Sequence, residues 1–345
     1  MLSSILRRGL VGAACLGLSL SGAAHAAEPV TPIRFVLDWK LQGVHAWYYL
    51  AEDRGYFAEE NLKVSIDQGD GSANTVTKIM AGTYDAGFGD VNAIIQNAAT
   101  RPETAPRMVY MVYNRAPFAI MTTADSPIRS LQDLQGKKLG SPAGGAAMRM
   151  FDTLARLNQI DAGTIQWVNM APNLQEQMLL RGEVDASAVF SVTSYVNLIA
   201  QRRDPDQDIR WFHYADHGVR LYGNGVMVSQ RLLQERPAAV TGLVRAIHRG
   251  VADAIRDPDA AMDALAKREP LIDRALEKRR LAYTLENIIM TDESRRIGLG
   301  DVDDERMGAA IAQVAEVFKL PNPPVANAVF DRQFLPARDA RMVAP

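Results

Sequence analysis

From residue 33 onward, short apolar strands alternate with amphipathic helices, and the alternation runs through twice. "IRFVLDW", "LKVSIDQ" and "YDAGFGD" read as strands, separated by the helical stretches "VHAWYYLAEDRGYFAEE" and "SANTVTKIMAGT". "VNAIIQNAAT" follows as a helix, and "RMVYMVYN" and "FAIMTT" as strands. Parallel strands need a long crossover, which an amphipathic helix supplies, so this order predicts a parallel sheet with helices on its faces. After "SPIRSLQDLQG" the pattern starts again, with strands "KKLGSPA", "TIQWVNM" and "VDASAVF" and helices "AAMRMFDTLARLN", "NLQEQMLLRG" and "VTSYVNLIAQR". An echo marks the two runs as equivalent. Gly82, Asp85 and Ala86 stand 100 residues before Gly182, Asp185 and Ala186. In each, glycine ends a helix where a positive φ is needed and aspartate opens the next strand.

Residues 230–320 are almost wholly helical, with Pro237 and Pro258 at helix starts. The strands "APFAIMTTADSP" and "LYGNGVMVSQR" flank the second run. If the C-terminal helices return to the first lobe, these are two crossovers, and paired crossovers make a hinge beside a cleft. Lobe 1 is then residues 27–120 with 226–335, lobe 2 is 121–225, and 336–345 form a flexible tail.

The first 26 residues read as a secretory leader. Arg7 and Arg8 precede "GLVGAACLGLSLSGAA", which is too short and too rich in small residues for a spanning helix, and "AHA" offers a cleavage site after Ala26. Cys15 is a passive member of that apolar run, since Gly12 stands where a lipid-attachment motif wants leucine. Cleavage removes the only cysteine, and with it disulfides and thiolate chemistry. It also takes two arginines from the 38 basic residues and none of the 40 acidic ones, leaving a net charge of −4. A mildly acidic surface argues against nucleic acid as a partner. The expected product is an exported, periplasmic monomer.

"LDW", "VHAWYYLAEDRGYFAEENLKV", "GTYDAGFGD" and "SLQDLQGKKLG", in that order, resemble periplasmic solute-binding proteins of ABC importers. The branch is that of the nitrate-, sulfonate- and thiamine-pyrimidine-precursor-binding proteins. Its A-x-x-x-G-Y-F-x-x-x-x-L-x-V frame matches at Ala51, Gly55, Tyr56, Phe57, Leu62 and Val64. The resemblance covers roughly residues 32–260. It implies an α/β, two-lobed periplasmic-binding-protein fold of type II, each lobe a mainly parallel sheet with helices on both faces, joined by a two-strand hinge. It also implies delivery of a small solute to a membrane permease. The branch includes a eukaryotic enzyme that makes the thiamine pyrimidine from its own pyridoxal phosphate and histidine. That enzyme's lysine and histidine fall on Gly89 and Ala93 here, and its cysteine-rich iron motif is missing.

In open α/β sheets, ligands sit beyond the carboxyl ends of the strands. Asp38 and Trp39 end the first strand and Asp90 and Asn92 the third, while Phe190, Ser191 and Thr193 follow the matching strand of lobe 2. His45 and Trp47, on the first helix, join them as candidate contacts; Tyr48 and Tyr49 are either cleft or core. Two glycine-rich helix starts offer free N–H groups to an anion. One holds Ser72, with Asn74 or Thr75 as alternative caps; the other holds Gly144 and Gly145, with Arg149 one turn in. Asn114, Asn169, Asn173, Tyr222 and Asn224 add neutral hydrogen-bonders near cleft and hinge. The resemblance places an acidic residue after "VDASAVF" in pyrimidine binders, whereas this chain has Ser191, Val192, Thr193 and Ser194.

No H-E-x-x-H, G-x-S-x-G or paired-histidine spacing is present; His213 and His217 are i, i+4 but lie in a strand-to-loop context. The sequence expectation is therefore a binding protein with no catalytic residue, metal or cofactor, and the alternative is an enzyme of thiamine-pyrimidine assembly like the one in that branch. Its ligand is either a planar ring stacked on Trp39 or Trp47 and held by Asp38, or a sulfonate or carboxylate seated on the two helix starts.

Overall fold

The computed structural model describes residues 30–143 and 145–342. Residues 1–29, which hold the expected leader, Gly144 and residues 343–345 lie outside them. Ten strands form two five-stranded sheets: β1 (Thr31–Val36), β2 (Leu62–Asp67), β3 (Ala86–Asp90), β4 (Arg107–Met111), β5 (Phe118–Thr123), β6 (Lys138–Ser141), β7 (Gln166–Asn169), β8 (Ala186–Phe190), β9 (Ile209–His213) and β10 (Asn224–Val228). The strand orders are β2-β1-β3-β10-β4 and β7-β6-β8-β5-β9. In each sheet three strands pair in parallel, and the strand contributed by the other run inserts antiparallel. The two sheets thus share one topology, and each lends the other a strand.

The 100-residue echo has a physical basis. Gly82 and Gly182 adopt φ of +72° and +70°, closing their helices. Asp85 then accepts the amide of Arg34 at 2.9 Å, and Asp185 accepts that of Lys138 at 2.8 Å. Each aspartate also returns its own amide to the same residue's carbonyl, at 2.9 Å in both lobes. A carboxylate and a peptide unit thereby lock the start of β3 onto β1 and of β8 onto β6.

The chain crosses between lobes at 112–117 and again at 214–223. The crossovers bond to each other, Tyr113 N–H to Asn224 O at 2.7 Å and Gly223 N–H to Tyr113 O at 3.0 Å. Lobe 2 therefore begins earlier than the sequence boundary at 120/121, which cuts through β5. Pro117, just before β5, cannot supply a ladder amide and marks the true end of the crossing. Likewise β10 opens at Asn224, two residues before the expected return to lobe 1.

Lobe 1 is covered by helices Ala46–Asp53, Pro237–Arg256 and Pro258–Arg268, whose apolar faces pack over β1, β3 and β10. The tail expected to be flexible from 336 instead forms a helical turn at Arg338–Arg341. Arg341 is buried and donates to Pro336 O, Ile297 O, Leu299 O and Asp301. A buried guanidinium with its donors spent pins the segment that was expected to be flexible. Among the described residues no helix is long and apolar enough to cross a membrane.

Candidate functional site

A cavity of about 390 Å³ lies between the lobes, within the usual range for small-molecule sites. Lobe 1 contributes Asp38, Trp39, Gln42, His45, Ser72, Asp90, Gln96, Tyr113 and Asn224; lobe 2 contributes Ser141, Gly145, Arg149, Gln175, Phe190, Val192, Thr193 and Ser194. The walls are strand ends and the helix starts that follow them, as expected where parallel strands expose their carboxyl ends together.

Asp38 anchors the lobe 1 wall. Its Oδ1 accepts from His45 Nε2 at 3.0 Å and its Oδ2 from Asn224 Nδ2 at 2.7 Å. Gln42 N–H donates to His45 Nδ1 at 3.1 Å, so the imidazole proton sits on Nε2 and points at Asp38. The 3₁₀ turn Gly43–His45 sets this orientation before the first helix begins. Each carboxylate oxygen has used one acceptor site and keeps another. The side chain is 19% exposed, toward the cavity. Trp39, the next residue, is 40% exposed at the rim.

Asp90 caps helix Val91–Ala98. Its Oδ1 accepts both the backbone N–H and the side-chain amide of Asn92, at 3.0 and 2.7 Å. Burial pushes the carboxyl up to about 6, against the opposing hydrogen bonds from Asn92 and the pull of Arg149 across the cleft. Arg149 is held below the usual guanidinium range by burial, with Asp90 opposing, and its guanidinium stacks 4.6 Å over the Phe318 ring. Among the described residues, two carboxyl groups thus face the cavity against one cation.

Several candidates lie elsewhere. Trp47 is fully buried in the lobe 1 core, edge-on to Tyr48 and Phe88, and does not reach the cavity. Tyr48 packs 5.0 Å from Phe35, and Tyr49 is buried as well, so both are core. Asn92 is a support, donating to Asp90 and to Tyr222 O. Ser191 is buried in the first turn of helix Ser191–Ala200 behind the lining residues. Asn169 and Asn173 are exposed away from the cavity, and Gly144 lies outside the described residues.

Asn114 and Tyr222 belong to the hinge. Arg306 donates to Asn114 O at 2.7 Å, Asn114 Oδ1 at 3.2 Å, Leu221 O at 2.8 Å and Arg220 O at 3.2 Å. Its guanidinium lies 4.0 Å over the Tyr222 ring and pairs with Glu293, which also accepts from Asn114 and Tyr222. One buried arginine therefore clamps both crossovers. Sequence reasoning missed Gln42, Gln96, Tyr113, Gln175, Val192 and Ser194 as lining residues. Gln42, Tyr113, Gln175, Val192 and Ser194 each sat within three residues of a named candidate, the one signal available.

A family model described as NMT1/THI5 like matches residues 42–261. The 4-amino-5-hydroxymethyl-2-methylpyrimidine phosphate synthase of Aspergillus parasiticus is 25% identical over 292 residues, covering 79% of this chain and 84% of that protein. The riboflavin-binding protein RibY of Chloroflexus aurantiacus is 25% identical over 300 residues, 84% and 82% of the two chains. Among solved structures, the periplasmic aliphatic sulphonate binding protein SsuA from Escherichia coli superposes with a TM-score of 0.68 at 16% identity, covering 91% of this chain and 96% of that one.

These relatives correct the sequence expectation that the chain is not an enzyme. The match to a named synthase is as extensive as the match to a binding protein, so two altered positions and a missing cysteine motif were too little to exclude catalysis. Pyridoxal phosphate itself does not fit this cavity through a lysine, because none lines it among the described residues and Gly89 stands at the resemblance-implied position. The chain belongs to the NMT1/THI5-like family, and its paired sheets have the two-lobed fold of the periplasmic binding proteins.

Proposed function

We propose that this protein receives a small planar heterocycle in the interlobe cavity and hands it to the permease of an ABC importer. The observation that carries the reading is the pair of carboxyl groups, Asp38 and Asp90, opposed among the described residues by Arg149 alone. A sulfonate entering this cavity meets two like charges, which costs affinity. A ring with N–H donors instead finds free acceptor sites on Asp38, while helix starts at Ser72 and Val192 offer N–H groups to ring nitrogens or carbonyls. Trp39 at the rim supplies a stacking face.

Two relatives support the ligand class. The names of both involve a pyrimidine ring, free in the synthase product and fused in riboflavin. The leader-like first 26 residues support export to the periplasm.

A thermal-shift panel tests the reading, with riboflavin, aminopyrimidines, aromatic acids and alkanesulfonates as probes. A ligand at about 100 times its dissociation constant adds about 2.7 kcal/mol. Stabilisation by heterocycles is expected, and stabilisation by sulfonates or inorganic anions alone would sink the proposal. The kinship with synthases adds a second arm. Release of a pyrimidine product on incubation with pyridoxal phosphate and iron would place the chain with the enzymes.

A further inference from the structure

We infer that Glu277 and Arg280 are positioning residues of the cleft, a buried latch that ties the ligand-facing turn of one lobe to that of the other. This rests on the cavity between the lobes being the ligand site. Helix Arg274–Thr284 follows Pro258–Arg268, which packs on lobe 1. Its other face lies against helix Ser191–Ala200 of lobe 2. Glu277 Oε2 accepts Gly43 N–H at 2.6 Å, two residues before His45, whose imidazole holds Asp38. The same oxygen accepts Arg280 Nε at 2.9 Å, and Arg280 Nη2 reaches Oε1 at 3.2 Å. Arg280 Nη1 then donates across the gap to Val192 O at 3.0 Å, in the first turn of a helix whose start lines the cavity.

The approach at Gly43 is close enough to exclude a side chain. A Cβ there would stand 2.2 Å from the Glu277 carbonyl oxygen. Beyond the latch, Tyr283 stacks on Tyr195 with ring centroids 4.1 Å apart, and Arg279 donates to the Tyr195 hydroxyl at 3.0 Å. The helix continues into a π turn, Leu285–Ile289, where Ile288 O accepts the amide of Arg115 in the first crossover at 3.0 Å. One element therefore touches lobe 1, lobe 2 and the hinge.

Exposure separates this contact from an ion pair that joins the lobes elsewhere. On the opposite flank Arg156 pairs with Glu316, but both side chains are more than half exposed, and such a pair contributes little. Arg280 and Glu277 are 5% and 9% exposed. An ion pair serving lobe 1 alone has no use for a carbonyl of lobe 2. When the lobes part, Arg280 keeps Glu277 and loses Val192 O, so the latch favours the closed arrangement in which the cavity walls face each other.

The test uses interlobe distance. Spin labels are placed on cysteines at Lys63 and Gln166, exposed positions on β2 and β7, the edge strands farthest from the crossovers. Arg280→Met with Glu277→Gln removes both charges together, so no buried charge is stranded. Without added ligand, the double variant is expected to move the distance distribution toward longer separations. Riboflavin, used as the probe, should bind about 5- to 20-fold more weakly, by the same factor as the fall in closed population. An unchanged distribution with a lowered melting temperature would make the pair a structural one and overturn the proposal. If the double variant does not fold, Arg280→Lys, which keeps a cation beside Glu277 but cannot also bond Val192 O, decides by the same readout, with unchanged distances overturning it. The distance arm needs no ligand, so failure of riboflavin to bind counts against the ligand class and leaves the latch to be judged by distance.

Discussion

Replacing Asp38 by asparagine separates recognition from scaffolding, because the surrounding hydrogen bonds fix how the amide must sit. His45 receives the Gln42 amide on Nδ1, so its Nε2–H continues to need an acceptor. The new amide must therefore turn its oxygen to His45 and its NH₂ to Asn224. Asn224 can accommodate this by rotating its own amide, since its Oδ1 is buried without a partner among the described residues. Both contacts within lobe 1 then survive as neutral hydrogen bonds, and the stability loss should stay near 1 kcal/mol, a melting-temperature drop of a few degrees. Ligand binding has no such compensation. A ligand N–H bonded to the carboxylate loses a charge-assisted bond worth about 1.5–3 kcal/mol, or roughly 10- to 150-fold in affinity. The assay is calorimetric titration of wild type and variant with the strongest heterocycle from the panel, beside melting curves without ligand. Unchanged affinity with a melting temperature many degrees lower would show that Asp38 serves lobe 1 and not the ligand.

Trp39→Ala should weaken heterocycle binding by more than the about 0.5–1.5 kcal/mol of stacking, while leaving the urea midpoint near wild type. Trp47→Ala should do the reverse, costing about 3–5 kcal/mol of stability, because that ring is core. Asp90 is raised to about 6, so its contribution to stability is present below the ordinary carboxyl range near pH 4 and is lost as pH rises through 6. Asp90→Asn should therefore stabilise the protein at pH 7 by on the order of 1–3 kcal/mol and have little effect at pH 4, read from melting curves at the two values.

The strand-and-helix alternation was legible because its period is local, and the echo at Gly82 and Gly182 because a positive φ and a strand-opening carboxylate leave a fixed spacing. Asp38, Trp39 and Asp90 reach the cavity because strand carboxyl ends converge whatever the helices do. Trp47 and Tyr48 were not legible, since the phase of the first helix is set by the 3₁₀ turn at Gly43–His45, which helical spacing alone does not reveal. Asn114 and Tyr222 were drawn to the cleft by proximity to the crossovers, but Arg306, some 190 residues from Asn114 in the chain, claims them for the hinge. The latch was illegible for the same reason: "EKRRLAYTLEN" reads as a solvated charge run until Gly43 and Val192 are placed beside Glu277 and Arg280.

The central claim is that the charge of this cavity selects a neutral or cationic N–H-bearing ring over an anion. The most direct measurement is a competitive calorimetric titration at pH 7, with riboflavin or an aminopyrimidine against an alkanesulfonate, on the full two-lobed protein. The account predicts a measurable dissociation constant for the heterocycle that a large excess of sulfonate leaves unchanged. Saturable sulfonate binding that displaces the heterocycle, or occurs without any heterocycle binding, would contradict it.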